Sequence, residues 1–184
     1  MELITKSQLR QARTLFERTR GYSALASALN ESKTRNSISG ETTVFLSHKH
    51  DDGEELKDAI AMLKDRGVNV YVDWMDEDMP KHTCGITADK IKKKIKENRK
   101  FILLATERAI SSKWCNWELG LGDAAKYINN IALLVVKDNI GSWTGNEYLQ
   151  IYPVIGRKYS WSDTDYVVQF PNGAVIDLET WLRQ

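Results

Sequence analysis

Phe101-Ile102-Leu103-Leu104-Ala105-Thr106 leads into Ser111-Ser112-Lys113-Trp114-Cys115-Asn116-Trp117-Glu118-Leu119, and this pair of segments decides the fold. The first segment has the length of a strand and no polar face. A strand of that kind is buried on both sides, as in a parallel sheet covered by helices. The two serines read as the cap of a following helix, because a serine hydroxyl accepts from the free amides of a first turn. On that helix Trp114 and Glu118 stand four residues apart and share a face. A carboxylate beside an indole, one turn into a helix after a central strand, suits a ligand made of a sugar and a flat base. Trp117 and Leu121 are expected to point into the core.

Outward from this pair the same alternation repeats. Thr43-Val44-Phe45-Leu46 reads as the first strand of the unit. Residues 54–66 place Leu56, Ile60 and Leu63 on one helical face, and Gly67 ends that helix. Val68 to Trp74 is a second strand. A charged loop with Pro80 follows, then a helix over 87–98 with Ala88, Ile91 and Ile95 inward. After the strand at 101–106 and the Glu118 helix comes a fourth strand at 131–136. A polar, turn-rich stretch leads to an edge strand at 166–170, and residues 175–183 suggest a final helix.

Strands alternating with helices of this length give an α/β fold. If the strand order is 2-1-3-4-5, these units build a flavodoxin-like three-layer sandwich around a mostly parallel five-stranded sheet. In such a sheet ligands bind at the carboxyl ends of the strands, where the strand order reverses. That point falls between the strands ending at Ser47 and Thr106. Residues 1–30 look helical, and 31–41 lack periodicity. Residues 1–41 are therefore read as a helical extension and linker, and 42–184 as the main domain.

The chain has 184 residues, enough for one domain with a substantial core and an extension. Net charge is +1, which gives no general attraction to nucleic acid or to an anionic membrane. No apolar run has the length of a membrane span. The N-terminal residues lack the apolar stretch of an export signal, so a cytoplasmic protein is expected, with Cys84 and Cys115 as reduced thiols.

Three other stretches carry polar clusters. In Ser47-His48-Lys49-His50-Asp51-Asp52 the His-x-His-x-Asp order suggests a metal, but only His82 remains to complete a ligand set, so no metal is expected. Asp51 or Asp52 is expected to cap the next helix. The loop from Asp73 to Gly85 holds Asp76, Glu77 and Asp78 without the order of a calcium loop, and its length suits a lid over a cleft. In Lys90-Ile91-Lys92-Lys93-Lys94-Ile95-Lys96 the lysines fall on a solvated face. Glycine-rich dinucleotide and P-loop motifs are missing, as is a nucleophile elbow.

Several of these segments together resemble the Toll/interleukin-receptor (TIR) domain family of the bacterial kind. Val44-Phe45-Leu46-Ser47-His48 is similar to its first box, and Val70-Tyr71-Val72-Asp73 to its second strand. Residues 74–86 are similar to its BB loop, and Trp114-Cys115-Asn116-Trp117-Glu118-Leu119 to its Trp-Cys-x-x-Glu-Leu motif. The resemblance implies cleavage of the nicotinamide–ribose bond of NAD+, with Glu118 catalytic. Ser47, His48, Lys49, Asp73, Gly85, Ile86 and Trp114 would bind the substrate. NAD+ would be the substrate, and no cofactor is implied. The expelled base is neutral and needs no general acid, so one carboxylate can serve an oxocarbenium-like transition state. The resemblance further implies a role in anti-phage defence, self-association through TIR–TIR contacts and a separate effector that senses an ADP-ribose product. The alternative is a non-catalytic TIR scaffold that acts by assembly alone.

Overall fold

A computed structural model describes residues 1–33, 41–73, 84–138, 143, 145–159 and 165–184. Its centre is a parallel stack of β2 (Thr43–Ser47), β3 (Asn69–Tyr71), β4 (Lys100–Ala105), β5 (Ile131–Lys137) and β6 (Val154–Arg157), in the order β3-β2-β4-β5-β6. The order reverses between β2 and β4, where Ser47 pairs with Leu103. The α/β sandwich is as the strand pattern implies, and the switch point lies where the order 2-1-3-4-5 puts it.

The sheet is larger than the five strands expected. The fifth parallel strand is Val154–Arg157, inside the stretch read as turn-rich, and Tyr166–Gln169 follows it as antiparallel β7. Val175–Asp177 forms β8, which pairs with β7, so the last helix α7 starts only at Leu178. These strands have three or four residues. Tyr166–Gln169 matches the strand expected at 166–170, but β8 makes it an inner strand rather than an edge. Val154–Arg157 and Val175–Asp177 are too short to carry periodicity, and only their pairing partners make them strands.

Side chains alternate across the sheet as a period of two demands. Val44, Leu46, Ile102 and Leu104 face a layer built from α1 (Lys6–Arg20), α2 (Tyr22–Glu31), α3 (Gly53–Lys64) and α7 (Leu178–Arg183). Phe45, Phe101, Leu103 and Leu133 face the other layer, built from α4 (Gly85–Glu97) and α6 (Lys113–Ala125), with the short α5 (Glu107–Ile110) leading into α6. Within it the rings of Phe45 and Phe101 stack with centroids 5.6 Å apart.

The N-terminal residues are built into this frame. Ile4–Thr5 form β1, parallel to Val136–Lys137 at the end of β5, while Glu2 bridges to Arg157 of β6. A Cβ on Gly156 would lie 2.6 Å from the Glu2 carbonyl oxygen, so glycine is what lets the chain pass so close. Thr5 and Gln8 form a capping box that starts α1, a Thr-x-x-Gln signal present in the sequence. Arg13 of α1 then meets Asp58 of α3 at 3.0 Å. The expected linker falls mostly on residues 34–40, outside the described residues.

Candidate active site

Alternation along β2 fixes the first member of the site. Ser47 lies two residues beyond Phe45 and so faces the α4/α6 layer. On α6 the inward stripe is Cys115, Glu118, Leu119 and Gly122, spaced as one helical face. Gly122 lets the helix lie close to the sheet, since a Cβ there would sit 3.1 Å from the Phe101 ring. Glu118 thus occupies a core position of an otherwise apolar stripe and is 1% exposed. Its Oε2 accepts a hydrogen bond from the Ser47 hydroxyl at 2.5 Å, and the Trp114 side chain one turn away also favours its ionised form. Trp114 is half-buried over the site and tilts against Trp117, with centroids 4.9 Å apart.

Trp117 itself is 37% exposed, and Leu121 packs only at the margin of the core. The expectation that Trp117 fills the core therefore fails. Glu118 takes the face that Trp117 would have needed. A pattern that assumes apolar residues turn inward puts the carboxylate on the wrong side.

Burial, followed by the negative charge of Asp73, raises the Glu118 carboxyl well above the usual range, against the Ser47 bond and the nearby Trp114 side chain, which favour the ionised form. His48 follows Ser47 and is also buried. Its Nδ1 lies 3.4 Å from the Leu46 carbonyl and 4.0 Å from Asp73 Oδ1. Burial pushes the imidazole down to about 4, so it is neutral at pH 7. Cys115 donates its S–H to the His48 carbonyl at 3.2 Å, and burial pushes this thiol up to about 11. It is a packing group rather than a nucleophile.

The structure thus gathers Ser47, His48, Asp73, Trp114 and Glu118 at the switch point. Lys49 sits on the rim, half-buried, with Nζ 3.8 Å from Asp51. Gly85 and Ile86 begin α4, which packs on α6, and both are exposed, Ile86 at 65%. The lid reading rests on residues 74–83, which lie outside the described residues. Among the described residues no group of three metal-ligating side chains comes together.

One expectation about this loop needs correction. Asp52 does stand at the N-cap position of α3, yet its side chain makes no capping bond. Instead the carboxylate reaches across to Thr106 and Arg108 beyond β4. No local spacing signals that pairing. A separate cavity of about 1050 Å³ lies where α3 ends, lined in part by Phe16, Lys64, Arg66, Tyr166 and Glu179, and shares no residue with the Glu118 cluster.

A three-layer α/β sandwich with a buried carboxylate at its switch point is the class of structure on view. Residues 44–167 match the family described as the TIR domain, and the chain belongs to that family. Two relatives refine the comparison. One is the "Probable 3' cyclic ADP-D-ribose synthase ThsB'" of Bacillus cereus (strain MSX-D12), 29% identical over 151 residues, covering 77% of this chain and 75% of that protein. The other is the "Putative cyclic ADP-D-ribose synthase TIR2" of Cytobacillus dafuensis, 26% identical over 117 residues, covering 55% of this chain and 31% of that protein.

Proposed function

We infer that this protein cleaves NAD+ at the nicotinamide–ribose bond and releases nicotinamide with a cyclic ADP-ribose product. The observation that carries the reading is the buried Glu118 carboxyl, bonded to Ser47 and roofed by Trp114 at the β2/β4 switch point. The names of the two relatives support the product class.

The reading makes chemical sense of the raised carboxyl. The substrate brings a cationic nicotinamide ribose, and a positive charge at close range favours the ionised form of an acid. Substrate binding therefore favours the ionised form of Glu118. As the C1′–N bond breaks, nicotinamide leaves with the electron pair as a neutral base. The ribose becomes oxocarbenium-like, and the Glu118 carboxylate stabilises it in a water-poor setting where electrostatics are strong. A hydroxyl of the same molecule closes on C1′ and releases one proton; water in its place gives linear ADP-ribose. Trp114 supplies the flat wall, and His48, held neutral, adds no competing positive charge.

Residues 42–184 serve in this reading as the TIR unit and residues 1–41 as an extension that braces it. Self-association through TIR surfaces, an effector that reads the product, a cytoplasmic setting and a part in anti-phage defence belong to the same proposal. The test is nicotinamide release from NAD+ by the purified protein, with the second product identified by mass. Wild type should turn over, and Glu118→Gln and Glu118→Ala should not while keeping the native circular dichroism. Turnover retained in Glu118→Gln would refute the assignment. Assembly without turnover under every condition would favour the scaffold alternative.

A further inference from the structure

The segment that leaves β2 carries Ser47, His48 and Lys49, and it is held from both layers of the sandwich. From the α6 side Glu118 takes the Ser47 hydroxyl and Cys115 bonds the His48 carbonyl. From the α3 side the grip belongs to Asp52. This residue is 0% exposed, and its N–H closes a turn onto the Lys49 carbonyl at 2.8 Å. Its Oδ2 accepts from the Thr106 hydroxyl at 2.5 Å and its Oδ1 from Arg108 Nε at 2.6 Å. Thr106 is itself fixed, because its hydroxyl oxygen accepts from the Ala109 amide at 3.0 Å and caps α5.

The choice of partner is the informative part. An aspartate at an N-cap ordinarily accepts from its own helix. Asp52 leaves that bond unmade and spends its carboxylate across the crevice, on the loop that leads through α5 to Trp114 and Glu118. The two walls of the crevice hang from different strands, and Asp52 ties one to the other. We propose that Asp52, with Thr106 as its partner, is a positioning residue that holds the Ser47–Lys49 segment in register with Glu118.

The proposal rests on the reading of Glu118 as the catalytic group, and its test is built to separate the two. Thr106→Val removes the hydroxyl at nearly constant volume, Thr106→Ser restores it, and Asp52→Asn weakens the tie from the other side. All are made in a Cys84→Ser background, so that Cys115 is the only thiol. Cys115 is buried against the His48 carbonyl, and its labelling by an aromatic disulfide reagent reports whether the segment stays seated. In Thr106→Val and Asp52→Asn with native circular dichroism, labelling should accelerate and kcat/KM for NAD+ should fall roughly 10- to 100-fold, as expected for a small displacement of reacting groups.

The acid limb of the pH profile should also move to higher pH. The Ser47 bond favours the ionised carboxyl, and Asp73 and Cys115, the titratable groups beside it, are untouched by either variant. Thr106→Ser should behave as wild type. Folded Thr106→Val and Asp52→Asn with a protected thiol and unchanged kinetics would overturn the proposal. So would a Thr106→Ser variant as impaired as Thr106→Val, which would assign the effect to the methyl group. Should Asp52→Asn not fold, the Thr106 pair decides alone. Should wild type release no nicotinamide, the catalytic reading falls, and thiol labelling still decides whether Asp52 seats the segment.

Discussion

Ser47→Ala is the perturbation that reads the site most directly. The serine hydroxyl is fully buried and donates to Glu118 Oε2 at 2.5 Å, so the variant removes one donor from a buried carboxylate and adds no bulk. Hydrogen bonds to charged groups contribute about 1.5–3 kcal/mol. The bond favours the ionised form, and its loss therefore biases Glu118 toward the protonated form by roughly 10- to 160-fold. If the ionised carboxylate performs the chemistry, kcat/KM for nicotinamide release should fall by about that factor on the acid side of the profile. The loss should shrink as pH rises and the carboxyl is titrated again. A second arm controls for packing. With Glu118→Gln as the host no charge is present, so Ser47→Ala should cost only about 0.5–1.5 kcal/mol in urea unfolding. The assay is kcat/KM across pH in wild type and Ser47→Ala, with unfolding free energies for the four members of the cycle. An activity loss of the same size at every pH would refute the ionisation argument and leave Ser47 as a direct substrate contact.

Stability should depend on pH through two buried groups of opposite sign. The Glu118 carboxyl is raised in the folded state, so the native protein holds its proton over a range where the unfolded chain has lost it. Stability from this group falls as pH rises above the ordinary glutamate value, and Glu118→Gln should unfold at a higher temperature than wild type at pH 8. His48 is depressed from 6.5 to about 4. The unfolded chain takes up this proton first, so wild type should lose about 3 kcal/mol as pH falls from 6.5 to 4. In His48→Asn that component should vanish, and an unfolding curve that keeps the same acid slope would count against it. Gly156→Ala forces a methyl against the Glu2 carbonyl and Met1. A loss of about 1–3 kcal/mol is expected, with faster hydrogen exchange at the Glu2 amide. An unchanged melting temperature would show that the N-terminal strand yields without cost.

The parts of this molecule written into its sequence are those that local periodicity encodes. An apolar run such as Phe101–Ala105 has to be buried on both faces, and helices of the right length lie between such runs. The parallel sandwich follows from hydrophobic burial, whereas the strand order that sets its switch point is decided by how the strands pair. The pairing of Trp114 with Glu118 follows from helical geometry. What needed the tertiary structure is whatever depends on a partner distant in the chain. Val154–Arg157 and Ile4–Thr5 are strands only because β5 offers them edges. Trp117 turns outward because Glu118 turns inward to meet Ser47, 71 residues away in sequence. Asp52 forgoes its own helix for Thr106, 54 residues on. Buried polar groups seek whichever partner the packed fold brings within reach, and no spacing along the chain records that choice.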